Sequence, residues 1–325
     1  MKRCVQCDAE MDATEVVCPQ CGHGLKEQSQ RRAAAPPPTI DMSDLTEAWP
    51  TMTPVARRQA IRARVLGSDR GLLARFKKAL GIGGPPAPPS ARRVAARAMA
   101  LAAVVWRAHF EVDLPDQPAA SLKGQCDYVS NWLRGLGIAS ELEPTEYKFL
   151  QAPPGAIDHR LVLEAAWRCE GLAVLAWALG RFDLPSYDEV VGPEPAQASV
   201  GFGHVEVARE ILDAASLRPR AEIDRYATWA TLVSWRIRTY RLAPLAWDLA
   251  AQLRGQASFN DSWLDGLRLK GSDLAIGDQA IAEAPLDRVE SCERSAVQRQ
   301  IAAYWLQGDD RVYSKVDPST LLSAC

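Results

Sequence analysis

Four cysteines open the chain at a spacing that can do metal chemistry: Cys4, Cys7, Cys18 and Cys21 form C-x2-C-x10-C-x2-C. A short gap lets both thiolates of a pair point into one turn, and two such pairs supply the four soft ligands that tetrahedral Zn2+ prefers. Gly22 and Gly24 follow the second pair and let a tight knuckle close with backbone N–H groups aimed at the sulfurs. The 10 residues between the pairs suffice for a short hairpin and little else. Bound metal would therefore supply most of the folding energy of so small a module. Four thiolates close the coordination sphere, leaving no position for substrate or water. The expected role of the Zn2+ is structural, with the nearby His23 a bystander.

A second position carries a different chemistry. In "DHRLVLEAAWRCEGLAVLAWALGRF", Glu170 is three residues from Trp167, four from Val174 and seven from Leu163 and Trp177, on an apolar, tryptophan-rich helical face. A buried carboxylate must be paired, hydrogen-bonded or protonated, because desolvating its charge costs roughly several kcal/mol. Glu170, with Arg168, Trp167 and Trp177 around it, is thus the candidate polar site of the chain's larger part. The competing reading is a structural carboxylate satisfied by an arginine or an indole N–H from another helix. Arg160, Glu164 and Arg168 fall at i, i+4 spacing on a separate stripe and are expected to pair among themselves. Cys169 lies between Arg168 and Glu170, where a reactive thiolate and a small buried core residue are both conceivable.

Other catalytic patterns are missing. The 4 histidines, His23, His109, His159 and His204, show no H-E-x-x-H spacing, and no G-x-S-x-G elbow occurs. "GIGG" lacks the Lys-Ser/Thr of a phosphate loop, and "GFGH" has Glu206 where a dinucleotide loop needs its third glycine.

These residues have to be positioned by the rest of the chain, whose composition is that of a globular protein with an unusually large number of tryptophans, 10, expected mainly in a helical core. The formal net charge of −2 hides a strong asymmetry. From Arg57 to Arg107 there are 12 Arg and Lys against Asp69 alone, a local +11 that leaves −13 for the remainder. Such a segment permits contact with nucleic acid or an anionic membrane surface, and equally permits docking on the protein's own acidic domain. The opening residues are charged and carry the ligand cysteines, so they do not read as a secretory leader, and a cytoplasmic location is expected. "VAARAMALAAVVW" is interrupted by Arg97 and is too short to span a bilayer, so no transmembrane segment is expected. Cys126, Cys169, Cys292 and Cys325 are scattered and read as reduced thiols.

Along the chain, residues 1–25 read as the metal module, 26–54 as a flexible linker, 55–82 as a basic amphipathic helical segment and 83–89 as a Pro/Gly linker. From residue 90 to 325 the pattern is helical. Ser90 caps "ARRVAARAMALAAVVWRAHFEV"; shorter helices follow at "DYVSNWLRGL" and, with Pro144 at its start, "LEPTEYKFL". "DHRLVLEAAWRCEGLAVLAWALGRF" is apolar on most faces, as a central helix would be. "GFGHVEVAREILDAASL" and the long run from Pro219 to Pro244 are amphipathic. "DLAI" and "QAIA" flank Gly277–Asp278 and predict a hairpin. A last helix, "RVESCERSAVQRQIAAYWL", should turn Ala296, Ile301, Tyr304 and Trp305 inward.

Two resemblances follow from these residues. "MKRCVQCDAEMDATEVVCPQCGHGL" resembles the short N-terminal zinc ribbons of many bacterial proteins. "SARRVAARAMALAAVV", "NWLRGLGIASELEPTEYKFLQAP", "AAWRCEGLAVLAWALG", "LRPRAEI" and "AVQRQIAAYWLQGDDRVYSKVDPST" are similar to successive blocks of the bacterial domain of unknown function 4272 family, from about Ser90 to Thr320. Where that family usually has a Glu-Arg-His run before the last helix, this chain has "VQRQIAAYW", with Arg299 and no His. The resemblance implies a fold and no established activity. The expected protein is mainly α: a helical domain with a minor β-hairpin, preceded by a small zinc ribbon on a flexible linker. Its expected role is a non-enzymatic interaction or regulatory module with another protein as partner. The alternatives are an enzyme or small-ligand binder using the Arg168/Glu170 region, and nucleic-acid binding through ribbon and basic segment.

Overall fold

The computed structural model describes residues 2–3, 10–11, 87–114, 119–254, 264 and 266–318. Residues 1–64 and 65–325 form two compact units. In the first, β1 (Lys2–Arg3) pairs antiparallel with β2 (Glu10–Met11), Lys2 opposite Met11 and Arg3 opposite Glu10. This pairing brackets Cys4 and Cys7; the short hairpin expected between the two cysteine pairs falls mostly outside the described residues. The four cysteines themselves, His23, the linkers at 26–54 and most of 83–89, the basic segment 55–82 and Cys325 lie outside the described residues.

The second unit begins with α1 (Ala91–Val112), capped by Ser90, whose Oγ accepts from the Arg93 N–H at 3.3 Å. Every residue from Val94 to Val105 is buried, Arg97 included, so small side chains let neighbours pack around the whole helix. There follow α2 (Ala119–Gly135), longer than "DYVSNWLRGL", and α3 (Pro144–Gln151), opened by its proline as expected. The run read as one central helix is two: α4 (His159–Ala166) and α5 (Arg168–Ala178), separated at Trp167. There the Glu170 N–H bonds the Trp167 carbonyl only three residues back, a 3-10 turn that restarts the ladder.

Beyond α5 come α6 (Pro193–Ser199), α7 (Val205–Asp213), α8 (Arg220–Leu242) and α9 (Leu249–Arg254), of which α6 and α9 had no clear periodic signal. A three-stranded antiparallel sheet follows: β3 (Leu269–Lys270), β4 (Asp273–Ile276) and β5 (Gln279–Ala280). Its β4–β5 turn is the hairpin expected at Gly277–Asp278, with Gly277 at φ 61°, and β3 adds a strand on the other side. The chain closes with α10 (Leu286–Gln307), ended by Gly308 in the left-handed conformation. Ala296, Tyr304 and Trp305 are buried, and Ile301 is partly buried against the core.

The α5 helix packs between α1 and α10, and α10 packs along α8. Two apolar cores result. The larger joins α1, α5 and the end of α10; the smaller, around Leu232, Ile237, Leu274 and Val289, joins α8, α9, the sheet and the start of α10.

Candidate functional site

Glu170 sits in the first turn of α5, 1% exposed. Its Oε2 accepts from Arg299 Nε at 2.7 Å, and its Oε1 accepts from the Val191 N–H at 2.9 Å and from Ser295 Oγ at 3.2 Å. Arg299, on α10 and 2% exposed, spends the rest of its guanidinium on backbone: Nη1 donates to the Pro185 and Ser186 carbonyls (3.3 and 3.1 Å) and Nη2 to Glu189 O (2.8 Å). One buried ion pair thus ties α5 to α10 and fixes the segment that leads from α5 to α6. Of the two sequence alternatives, the geometry matches the structural carboxylate, with arginine as its partner.

Arg168 lies on the same helix but belongs to another cluster. Only Arg160 and Glu164 pair on the exposed stripe, at 3.0 Å. Arg168 instead donates to Glu146 of α3, which also receives both terminal nitrogens of Arg97 and, at 3.0 Å, the Glu143 N–H. Once the helix breaks at Trp167, Arg168 is no longer in line with Glu164, and a buried carboxylate is the stronger partner. Arg97 lies 4.7 Å from the Tyr313 ring centroid, and Glu143 Oε1 accepts from the Ser314 N–H at 2.9 Å. Within this cluster Arg97 Nε, Glu143 Oε2 and Tyr313 Oη are buried without a partner. Burial, against the attraction of Arg97 and Arg168, pushes the Tyr313 hydroxyl well above the usual phenol range.

The two tryptophans do not form a common wall with Glu170. Trp177 packs against Tyr226 with centroids 4.7 Å apart and the rings tilted by 39°, and carries Arg218 over its face, while Arg294 lies over Trp167. Cys169 is a core thiol, its pKa pushed up to about 12 by burial and then by the Glu170 charge. Cys292 is pushed up to about 11 by burial and Asp188, and Cys126 is raised by burial despite an Arg107 N–H at 3.0 Å. These values oppose the reactive-thiolate reading.

A third pair was not foreseen: Arg236 of α8 holds Asp273 of β4 through Nε–Oδ1 at 2.7 Å and Nη2–Oδ2 at 2.5 Å, both residues buried. Asp273 also accepts from the Trp247 and Leu274 N–H groups, and Arg236 lies 4.8 Å from the Trp247 ring centroid. The signal that could have found these centres is a charge inside an apolar run: Arg97 in "VAARAMALAAVVW" and Arg236 in "LVSWRI". Glu146 and Asp273 lie in polar surroundings, and nothing in the sequence around them signals burial.

The chemistry of these centres is electrostatic. Each satisfies a buried charge across two elements distant in sequence, and Glu170 has no face toward solvent at which a substrate could meet it. Among the described residues no group of three or more His, Cys, Asp or Glu could hold a metal ion, and no helix is long and apolar enough to cross a membrane. An open cleft lies elsewhere, between the end of α5 and α7, with a volume of about 240 Å³.

Comparison with known proteins finds no match among curated proteins or solved structures. One family model, described as Domain of unknown function (DUF4272), matches residues 85–252, from just before α1 into α9. Glu170, Arg168, Glu146 and Arg97 fall inside the match, and Arg299 and Tyr313 beyond it. Since the matched residues make up more than half of the 325, the chain belongs to the DUF4272 family.

Proposed function

We propose that this protein is a non-enzymatic interaction module, in which an N-terminal zinc ribbon held by Cys4, Cys7, Cys18 and Cys21, together with the basic segment 55–82, recruits a protein partner to the helical domain. The observation that carries this reading is the fate of Glu170. The carboxylate best placed by sequence for catalysis is sealed at 1% exposure and consumed by Arg299, Ser295 and the Val191 N–H. Four thiolates are a complete tetrahedral set for Zn2+, which would hold the ribbon's two knuckles together. The β1–β2 pairing, which brings the chain on either side of Cys4 and Cys7 together, suits such a knuckle.

The test is affinity capture from native lysate with the full chain and with a chain beginning at Ser90, each with and without nuclease and at low and high salt. A protein retained by the full chain alone, insensitive to nuclease, is the expected result. Retention of nuclease-sensitive material only, falling steeply with salt, would replace this reading with nucleic-acid binding.

A further inference from the structure

We infer that the cleft beside α7 receives a segment of this same chain, residues 71–80 ("GLLARFKKAL"). The cleft's apolar floor comes from Leu179, Val207 and Ile211, and its volume of about 240 Å³ falls below the roughly 300–1,000 Å³ of small-molecule sites. It suits one or two large side chains. Val207 is 43% exposed, which leaves an apolar side chain on the open face of α7 beside the exposed carboxylates of Glu206 and Glu210. Arg181 and Arg209 are directed elsewhere: Arg181 Nε donates to Ser199 O at 3.1 Å and Arg209 to Gly135 O at 3.3 Å.

The chain reaches this place by its own path. Arg92, in the first turn of α1, donates to Asp213 Oδ1 at 2.7 Å and to Leu212 O at 3.3 Å, so the residues leading into α1 arrive at the end of α7. Residues 81–90 can span up to about 33 Å, enough to fold back along α7. Leu73, Phe76 and Leu80 have the i, i+3, i+7 spacing of groove anchors, and Arg75, Lys77 and Lys78 complement the carboxylates. Docking in cis would cover the basic face until a competing anionic surface displaced it. The inference does not depend on recruitment by the ribbon.

The test uses the full chain at low concentration, an equal mixture of unlabelled and 15N-labelled protein, with a carbodiimide to couple lysine to carboxylate. Cross-links from Lys77 or Lys78 to Glu206 or Glu210 should join peptides of one isotope with no mixed pairs, and should fall about tenfold in Val207→Arg. Tryptic cleavage at Arg75–Lys78 should accelerate about tenfold in the same variant, with its thermal melt unchanged. Absence of these cross-links, or an unaltered cleavage rate in a folded Val207→Arg protein, overturns the inference; mixed-isotope cross-links making up about half of the total assign the cleft to a second copy and overturn it equally.

Discussion

Glu170 and Arg299 are costly to bury singly and inexpensive together, because the carboxylate takes three donors and the guanidinium reaches four acceptors. Glu170→Gln should therefore destabilise the domain by about 3–5 kcal/mol in urea unfolding at neutral pH, since Arg299 would remain buried without its counter-charge. A loss near zero would mean that water reaches the pair. Gly171 makes a separate prediction. A Cβ built there would lie 2.2 Å from Tyr313 Oη, so Gly171→Ala should cost about 1–3 kcal/mol by overpacking. Tyr313→Phe on that background should recover part of the loss and alone should be close to neutral, because the buried hydroxyl has no partner to lose. For Cys169 and Cys292, the folded pKa values of about 12 and 11 exceed the ordinary thiol value of 9.0. Their neutral form is favoured in the fold, so this contribution is intact below pH 9 and lost as pH rises through 11 to 12. Iodoacetamide at pH 8 should label neither in the native protein and both in urea. Glu170 was legible as an anomaly because its charge interrupts an apolar face; Arg299 is 129 positions away, and no local pattern links the two.

At the level of elements, periodicity located α1, α3, α7, α8 and α10, and turn chemistry located the β4–β5 hairpin. It failed at Trp167, where the hydrophobic pattern continues through a break made by backbone hydrogen bonding, and at α6 and α9, seven and six residues long, too short to show a period. The sheet depends on tertiary partners. Arg236 anchors β4 to α8, while Asp188 receives Arg268 at 3.0 Å and the Gly277 N–H at 2.7 Å. Burial alone would raise the Asp188 pKa, but Ser186, Gly277 and Arg268 together hold it below the usual carboxylate range. Asp273→Ala should accordingly speed amide exchange in β4, β5 and α9 while leaving α1 and α5 protected, because the two cores are distinct. Equal acceleration in both would show that the unit opens as one.

For the whole molecule, charge asymmetry and cysteine spacing were legible in the sequence, and the proposed recruitment rests on them. The −13 outside the basic stretch and the +11 within it favour contacts made or released by salt. Salt alone, however, does not separate a protein partner from nucleic acid. Metal dependence bears directly on the proposed ribbon, since a structural Zn2+ would supply its folding energy while the helical domain draws on its own cores. The decisive measurement is partner capture by the full chain before chelation, after chelation and after zinc is restored, with the far-UV spectrum recorded each time. Capture should be present, lost and regained while the helical signal stays constant. Capture that survives complete removal of the metal would show that the partner is not recruited by the ribbon.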